Sequence, residues 1–273
     1  MPKIRILFVG CGKMGSAILD GVLSKNIIKK ESLFIVEPDI LQKKHLEEKG
    51  IKVFNSLLEI NFTELKINTV LLAVKPQLAK EVLTNLKKIM INNIFIISIV
   101  AGKKISFYKN ILGSATSIIR AMPNTPASCG KGVTAIFPCK KTTSINIDIA
   151  KSLFSSVGIA IILKSESKMD IVTAISGSGP AYVFLFIEEL IKSAVDFGLD
   201  KKTATALVKQ TLLGSSYLAS SSEQTPEVLR QNVTSPGGTT EAALKVLNKN
   251  NSFYKLLNKA VNAALQKSIK LSS

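Results

Sequence analysis

The sequence predicts an α/β fold, in which a doubly wound and mainly parallel sheet is followed by an all-helical domain. Three observations lead to this fold class. Short apolar runs alternate with helix-like segments up to about residue 164, a glycine-rich turn follows the first run, and no convincing strand is found from Glu166 onward. Alternating strands and helices are typical of doubly wound sheets. The predicted domains are residues 1–164 and 165–273.

The predicted strands of the first domain are short and apolar. They span residues 4–9, 33–36, 69–74, 94–100, 115–121, 132–137 and 159–163. The first four are almost continuously apolar, as expected for strands that are buried on both faces of a sheet. Residues 14–24, 40–49 and 78–90 lie between them and carry apolar residues at helical spacing.

The second domain is predicted to be helical throughout. Its helices span residues 166–176, 181–197, 201–221, 226–232, 239–249 and 252–270. Thr225 is a candidate N-cap, Pro180 and Pro226 stand in first turns, and Gly198 follows a helix as a stop signal. The run Ser-Gly-Ser-Gly-Pro at 176–180 is expected to interrupt a helix, and a close contact between helices or subunits would account for its glycines.

The net charge of +17 is the unusual feature of the composition. Of the 36 basic residues 33 are Lys, and no more than two are consecutive. Recognition of bases and phosphates favours Arg, so we expect no nucleic-acid partner, although a nucleic-acid-binding regulator stays open as an alternative. Residues 1–164 hold 24 basic and 10 acidic side chains (+14), whereas residues 165–273 hold 12 and 9 (+3).

Cysteine and histidine usage bears on metal binding and on the compartment. The three Cys form no CxxC pair, and the single His leaves no His/Cys zinc set, so we expect no metal. An odd number of Cys is typical of a reducing compartment. The N-terminus lacks a signal-peptide pattern, and the uncharged run at 171–187 is short for a membrane span. We therefore expect a cytoplasmic protein with no membrane partner.

A glycine-rich turn, Gly10-Cys-Gly-Lys-Met-Gly15, has the spacing GxGxxG between the first predicted strand and the first helix. In a Rossmann-type domain the first Gly allows the tight turn, the second lets backbone approach a pyrophosphate, and the third lets helix pack on strand. The helix N-terminus then offers unpaired N–H groups to the phosphates. This context predicts a dinucleotide-binding site.

Glu37 ends the second predicted strand, 22 residues after Gly15. A carboxylate here accepts a hydrogen bond from the adenosine ribose 2′-OH and repels a 2′-phosphate, which favours NAD. Asp39 adds to this preference, whereas Lys43 and Lys44 oppose it. The alternative is that Glu37 points to solvent, so the sequence leaves NADPH and NADH both open as the cofactor.

Two further segments follow predicted strands. Lys75-Pro76 comes after the strand at 69–74, and ligands of open α/β sheets bind at such carboxyl ends. Lys75 is placed to pair with a phosphate or a carboxylate; the alternative is a solvated lysine. Asn124 stands in a loop fixed by Pro123 and Pro126, and its amide offers donors and an acceptor. The alternative for that loop is a purely structural role.

The segment at 233–241 joins two predicted helices and is rich in donors. Gly237 and Gly238 expose backbone N–H groups, and hydroxyls come from Ser235, Thr239 and Thr240. Several donors before a helix N-terminus suit a small carboxylate, and the alternative is an elaborate N-cap.

The only His, His45, lies in a polar helical stretch and is interpreted as a surface residue. A substrate that needs no strong acid, such as a cyclic imino acid, fits this set of residues.

Five collinear segments together resemble the pyrroline-5-carboxylate reductase family. They are Val9-Gly-Cys-Gly-Lys-Met-Gly15, Ala73-Val-Lys-Pro76, Arg120-Ala-Met-Pro-Asn-Thr-Pro-Ala127, Ser176-Gly-Ser-Gly-Pro-Ala-Tyr182 and Thr234-Ser-Pro-Gly-Gly-Thr-Thr240. The resemblance implies a Rossmann domain, a helical dimerisation domain, and a homodimer that can associate further. It implies reduction of 1-pyrroline-5-carboxylate to L-proline, in proline biosynthesis.

The resemblance also implies roles for individual residues. Ser235 and the backbone of Gly238 and Thr239 would bind the substrate carboxylate, within a substrate-binding segment that includes Gly237, and Thr240 would hydrogen-bond the ring nitrogen as the catalytic residue. The dinucleotide would be held by Gly10, Cys11, Gly12, Lys13, Met14, Gly15, Ala73, Val74, Lys75 and Pro76, with Asn124 near the nicotinamide. Lys13 stands where the family usually has Asn. A related reductase of imines or hydroxy acids remains an alternative.

Overall fold

The computed structural model describes residues 4–91 and 93–272. Contacts between residues divide the chain into two compact units. The first comprises Met1–Ser178 together with Ala264–Ser273, and the second comprises Gly179–Ala263. This division rests on contacts alone, and the functional boundary between residues 164 and 165 stays a prediction.

The described residues of the first unit form one eight-stranded sheet. Its strands are β1 (Ile6–Val9), β2 (Leu33–Val36), β3 (Lys52–Phe54), β4 (Thr69–Leu72), β5 (Phe95–Ser98), β6 (Ser117–Met122), β7 (Gly132–Pro138) and β8 (Gly158–Ile162). The spatial order is β3-β2-β1-β4-β5-β6-β7-β8, and the β6–β7 pair alone is antiparallel. The first β-α-β crossover returns β2 beside β1, and β4 then pairs with the opposite edge of β1. The predicted doubly wound, mainly parallel sheet is confirmed.

Helices cover both faces of this sheet. They are α1 (Lys13–Ser24), α2 (Ile40–Glu48), α3 (Ala79–Ile89), α4 (Ile105–Leu112), α5 (Ser144–Ser155) and the short α6 (Met169–Val172). Ile6 and Phe8 of β1 pack in a core with α1 and α5, whereas Leu7 and Val9 pack in a second core with α3 and α4. Because successive side chains of a strand point to opposite faces, β1 is buried on both and needs to be apolar throughout.

The second unit is helical. Its helices are α7 (Gly179–Asp196), α8 (Lys201–Ser221), α9 (Pro226–Asn232), α10 (Thr239–Leu247) and α11 (Ser252–Ser272), of which the last continues into the first unit. The predicted N-cap is present, since Thr225 accepts a hydrogen bond from the backbone N–H of Val228. The chain leaves α7 at Gly198 with φ of +97°, as the predicted stop signal requires.

The expected interruption at 176–180 takes a milder form than a break. Residues Thr173–Gly177 form a π-helical turn, and α7 begins directly afterwards at Gly179. A Cβ on Gly177 would lie 2.8 Å from Cε of Met122, so the helix approaches the end of β6 closely at this point. The α-helix is therefore interrupted as expected, by the π-helical turn and the bend at Ser178, while the contact that Gly177 makes is with a strand and not with a helix or a second subunit.

The C-terminal end of α11 is attached to the first unit through a buried carboxylate. Asp170 of α6 accepts hydrogen bonds from the hydroxyls of Ser268 (2.8 Å) and Ser272 (3.2 Å), and all three residues are buried. Leu271 also lies against the backbone of Gly102, where a Cβ would meet its carbonyl oxygen at 2.9 Å. The last ten residues therefore complete the unit that begins the chain.

Candidate active site

The turn between β1 and α1 brings backbone from two strands close together. Gly10 has φ of +83°, and a Cβ there would lie 2.9 Å from the carbonyl oxygen of Ala73, which follows β4. A Cβ on Gly15 would lie 3.1 Å from the carbonyl oxygen of Gly10, so α1 packs directly on the turn. Only residues without a side chain allow both approaches.

The N-terminus of α1 presents free donors beside open space. Its N-cap is Gly12, which brings no side-chain cap, and the first helical hydrogen bond runs from the N–H of Ser16 to the carbonyl of Gly12. The N–H groups of the three preceding residues have no partner inside the helix. Apart from its neighbours in the chain, no described residue has an atom within 4 Å of a Cβ built on Gly12. Donors and space together form a cradle for an anion.

A cavity of about 730 Å³ lies in front of this cradle, within the size range of small-molecule sites. It opens at the carboxyl ends of β1, β2 and β4, where ligands of doubly wound sheets bind. The residues that line it are Val9, Gly10, Gly12, Lys13, Val36, Glu37, Pro38, Asp39, Gln42, Asn55, Ser56, Leu57, Ala73, Val74, Lys75, Leu78, Glu81, Val82 and Asn85.

Seven of the residues predicted to bind the cofactor line this cavity. They are Gly10, Gly12, Lys13, Glu37, Ala73, Val74 and Lys75. The other predicted cofactor residues, Cys11, Met14, Gly15, Pro76 and Asn124, are not among its lining residues. The sequence therefore locates the cavity, and the direct role of each residue stays a prediction.

Glu37 points into the glycine turn and not to solvent. Its side chain is buried, and its Oε2 accepts a hydrogen bond of 2.7 Å from the backbone N–H of Cys11. Its Oε1 accepts a second bond of 3.1 Å from the N–H of Asp39. Two backbone donors hold the carboxylate in the wall of the cavity, so the alternative of a solvated Glu37 was wrong.

Gln42 of α2 is a part of the site that the sequence analysis missed. Its Nε2 donates to the carbonyl oxygen of Cys11 (2.9 Å) and to the hydroxyl of Ser16 (2.8 Å). Asp39 caps the same helix by accepting from the N–H of Gln42. The amide of Gln42 thus connects α2 to the glycine turn and to the first turn of α1. No sequence pattern marks it, because the contact joins residues 31 positions apart.

Cys11 lies beneath the turn as a packing residue. Its side chain is buried, and burial raises the pKa of its thiol to about 11. A thiol with so high a pKa stays protonated near neutral pH and is a poor nucleophile. Cys11 therefore contributes to the site through its backbone N–H, from which Glu37 accepts a hydrogen bond, and not through sulfur chemistry.

Asn124 uses its side-chain amide inside the first unit. Its Nδ2 donates to the carbonyl oxygen of Ser176 (3.1 Å), and its Oδ1 accepts from the N–H of Val133 (2.9 Å). The residue is buried. These bonds tie the loop after β6 to β7 and to the π-helical turn, as the structural alternative for this loop expects. Its predicted place near the nicotinamide stays a prediction.

The donor-rich segment at 235–240 belongs to the second unit and leads into α10. Gly237 has φ of +70° and donates its N–H to Oε2 of Glu241 (2.7 Å), while Gly238 is the N-cap. The first-turn N–H groups that follow Gly238 have no helical partner. Because Gly237 already serves a carboxylate of this chain, the donors left for a ligand are the hydroxyls and the first-turn N–H groups.

A metal site finds no support among the described residues, which contain no group of three or more His, Cys, Asp or Glu able to hold an ion. The described cysteines are free thiols. His45 is exposed on α2, as expected from the sequence.

Comparisons with known proteins agree with these features. Residues 166–271 match the family described as pyrroline-5-carboxylate reductase dimerisation, and residues 5–102 match NADP oxidoreductase, coenzyme F420-dependent. The pyrroline-5-carboxylate reductase of Pseudomonas aeruginosa is 36% identical over 100% of this chain and 98% of its own length. That of Arabidopsis thaliana is 36% identical over 99% of this chain and 96% of its own length.

Solved structures show the same similarity. A pyrroline-5-carboxylate reductase from Coxiella burnetii matches with a TM-score of 0.92 and 36% identity, over 99% of each chain. Plasmodium falciparum pyrroline carboxylate reductase, solved with NADP bound, matches with a TM-score of 0.86 and 37% identity over 100% of each chain. Identity at this level over whole chains shows the family, and the chain belongs to the pyrroline-5-carboxylate reductases.

Proposed function

We propose that this chain reduces 1-pyrroline-5-carboxylate to L-proline with NADPH or NADH. The observation that carries the proposal is the full-length match to reductases of this name, which extends over both units. The dinucleotide cavity of the first unit and the donor-rich segment of the second supply the two kinds of site that the reaction needs.

The cavity fits a dinucleotide on the evidence of its own atoms. The uncapped N-terminus of α1 offers N–H groups, and the space above Gly12 leaves room for a pyrophosphate. Lys13 and Lys75 line the cavity and place positive charge near these donors. When bound, the reduced nicotinamide supplies the hydride, and the protein positions the acceptor.

The imine that accepts the hydride explains why the reaction needs no strong acid. In a protonated cyclic imine the hydride adds to the carbon, and the C=N π electrons move to the nitrogen, which keeps its proton and becomes a neutral amine. We assign the hydroxyl of Ser235 and the first-turn N–H of Thr239 to the substrate carboxylate, and Thr240 to the ring nitrogen. The N–H of Gly238 donates to the carbonyl oxygen of Ser235 (3.0 Å) and so shapes this segment. Thr240 stands in the first turn of α10 and is half-buried, so a fixed helix orients its hydroxyl.

The proposed activity is tested by following the absorbance of the reduced nicotinamide after 1-pyrroline-5-carboxylate is added to the purified chain. We expect the absorbance to fall with NADH, with NADPH or with both, and proline to accumulate in equal amount. Absence of turnover with both cofactors would refute the proposal. Turnover of a hydroxy acid or of another imine in preference would favour the related-reductase alternative.

Thr240→Ala tests the catalytic assignment. Loss of a hydrogen bond to a charged group costs about 1.5–3 kcal/mol, so kcat/KM should fall roughly 10- to 100-fold. The dissociation constant of the cofactor, measured by nicotinamide fluorescence, should not change. Thr240→Ser keeps the hydroxyl and should restore most of the rate.

Thr205→Ala is the matched control for this experiment. Thr205 lies in α8 of the same unit, and its hydroxyl donates only to the carbonyl of Lys201. Its loss should leave kcat/KM unchanged. If Thr240→Ala behaves like Thr205→Ala, Thr240 takes no part in the reaction.

We further propose that the chain works as a homodimer in the cytoplasm. The match of residues 166–271 to a dimerisation family supports the dimer. Among the described residues, the helical run Glu166–Asp196 is long and apolar enough to cross a membrane by length and composition alone, and 6% of its most apolar window is buried. A second copy of the chain would cover these side chains, and the free thiols suit a reducing compartment.

A further inference from the structure

Two carboxylates stand at the carboxyl end of β2, where a doubly wound fold places the adenosine ribose. Glu37 and Asp39 both line the cavity. Glu37 is 8% exposed, and its two oxygens each receive a backbone N–H, from Cys11 and from Asp39. A carboxylate held from two sides cannot swing away without leaving both donors unpaired. Its free lone pairs remain available to a hydroxyl.

Two lysines that could offset this charge, Lys43 and Lys44, belong to α2. Lys43 donates to Oδ1 of Asn55 (2.9 Å) and pairs with Glu47 (3.7 Å). Neither Lys43 nor Lys44 lines the cavity. Since Asn55 lines the cavity, Lys43 lies next to its wall, with its ammonium group already engaged by Asn55 and Glu47, whereas Lys44 is exposed.

Two other lysines, Lys13 and Lys75, line the cavity directly. Lys13 is the first residue of α1, and Lys75 follows β4 beyond Ala73 and Val74. The elements that carry them meet at the glycine turn, where the pyrophosphate is expected. A pyrophosphate is common to NADH and NADPH, so attraction to Lys13 and Lys75 does not discriminate between them.

We infer that Glu37 makes this chain select NADH over NADPH, an inference that rests on the proposed function for its substrate and on the cavity for its cofactor. The 2′-hydroxyl of NADH donates to the fixed carboxylate. A 2′-phosphate would bring negative charge against Glu37 and Asp39, and like charges at contact are strongly unfavourable. This preference would set the chain apart from the relative that was solved with NADP bound.

The first measurement is equilibrium binding, which does not depend on catalysis. NADH and NADPH are titrated separately into the full-length chain, and nicotinamide fluorescence gives each dissociation constant. We expect NADH to bind at least ~10-fold more tightly, and kcat/KM with 1-pyrroline-5-carboxylate to show the same preference. Equal or tighter binding of NADPH by the unchanged chain would overturn the inference.

Glu37→Gln assigns the preference to its residue. The amide oxygen of Gln still accepts from the N–H of Cys11, so the turn keeps this bond while the charge is lost. The NADPH-to-NADH ratio of dissociation constants should fall by roughly 10-fold. The control is Glu81→Gln, which removes one carboxylate from the wall of the same cavity, on α3. It should leave the ratio as in the unchanged chain.

The outcomes separate the inference from the proposed function. NADH-selective binding without turnover would refute the function and support the inference. Turnover with a preference for NADPH would support the proposed function and refute the inference. If Glu37→Gln and Glu81→Gln lower the NADPH-to-NADH ratio of dissociation constants equally, the effect is one of general charge, and the role of Glu37 is overturned. If Glu37→Gln fails to fold, competition of adenosine 5′-monophosphate and adenosine 2′,5′-bisphosphate against NADH on the unchanged chain decides, and equal competition contradicts the inference.

Discussion

Gly10 and Gly12 stand two residues apart in the same turn, and the structure gives them different tasks. Gly10 needs a positive φ and has backbone within 3 Å of its missing Cβ, whereas Gly12 faces open space. Gly10→Ala should therefore lower the free energy of unfolding by at least about 1–2 kcal/mol from the backbone conformation alone. Gly12→Ala should fold normally and weaken dinucleotide binding, because its methyl group enters the phosphate cradle.

Urea unfolding and nicotinamide fluorescence distinguish these two effects. Gly10→Ala should change both stability and binding, and Gly12→Ala binding alone. A stable Gly10→Ala variant with full affinity would contradict the account of the turn.

Tyr108 makes stability depend on alkaline pH. Its side chain is fully buried against Ser98, and burial raises the pKa of its phenol to about 12 from about 10. Between these values the unfolded chain loses this proton while the folded chain keeps it, so stability must fall as pH rises. Two pKa units correspond to about 2–3 kcal/mol.

The measurement is urea unfolding at several pH values from 9 upward. Tyr108→Phe removes the ionisation, so its stability should fall less steeply with pH than that of the unchanged chain. Tyr254→Phe, at an exposed position on α11, is the control and should keep the steep fall. Parallel curves for Tyr108→Phe and the unchanged chain would show that this phenol has no such effect.

At the residue scale, the sequence predicts those site residues whose role depends on the backbone conformation and on their spacing along the chain. The turn at 10–15 and the carboxylate of Glu37 follow from position relative to β1 and β2. Gln42 was out of reach, because its bonds to Cys11 and Ser16 depend on how α2 packs. The direction in which the Glu37 side chain points could be seen only in the structure, since the same sequence pattern fits an exposed or a buried carboxylate.

At the scale of elements, one buried ion pair connects the sheet to the chain before α6. Arg120 of β6 is 3% exposed and pairs with Oε1 of Glu166 (3.2 Å), which also accepts from the N–H of Ile105 (2.8 Å). Glu166→Gln leaves the guanidinium without its counter-charge. We expect a loss of about 2–3 kcal/mol in the free energy of unfolding, below the value for a fully buried pair because Glu166 is partly exposed.

Asp20→Asn is the control for this change. Asp20 pairs with Lys49 at 2.6 Å on the surface, and such exposed pairs contribute below about 1 kcal/mol. Urea unfolding of both variants gives the comparison. Equal effects of Glu166→Gln and Asp20→Asn would mean that burial adds nothing to the Arg120–Glu166 pair.

The elements that the sequence analysis missed have weak local signals. Strand β3 has three residues and opens with an exposed Lys52, so it offers no apolar run, and it forms by pairing with β2. Helices α4 and α5 were not predicted, although both bury apolar faces. Most helices of the second unit were placed within two residues, because caps such as Thr225 and the stop at Gly198 are local signals.

At the scale of the whole molecule, the second unit exposes many large apolar side chains. Single chains in solution rarely leave so much apolar surface uncovered. Examples with more than half of their surface exposed are Phe184, Leu185, Phe197, Leu213 and Tyr217. In the proposed homodimer a second copy covers this surface, and a charge placed there would oppose association.

Leu213→Glu is the test of this surface. We expect light scattering after size exclusion to give the mass of at least two chains for the unchanged protein and of one chain for Leu213→Glu. Leu41→Glu is the matched control, since Leu41 is 82% exposed on α2 of the first unit. A single-chain mass for the unchanged protein, or association that survives Leu213→Glu and Phe184→Glu, would contradict the proposed dimer surface.

The fold class of the whole chain could be predicted because strand runs, helix periods and the glycine turn agree with one another. The compact units could not, since they depend on contacts between distant residues. Asp170 and Ser268 are 98 positions apart, and neither carries a signal that names the other.

The attachment of the chain's last ten residues has a practical consequence for dissecting the protein. The polypeptide leaves the nucleotide-binding unit after Ser178 and re-enters it at Ala264, so two cuts are needed to separate the units. A fragment ending at Ser178 would keep Asp170 and lose both hydroxyls that donate hydrogen bonds to its carboxylate. To obtain the dinucleotide-binding unit alone, residue 178 must be linked to the terminal segment, which makes the second unit an excisable insertion and not a C-terminal appendage.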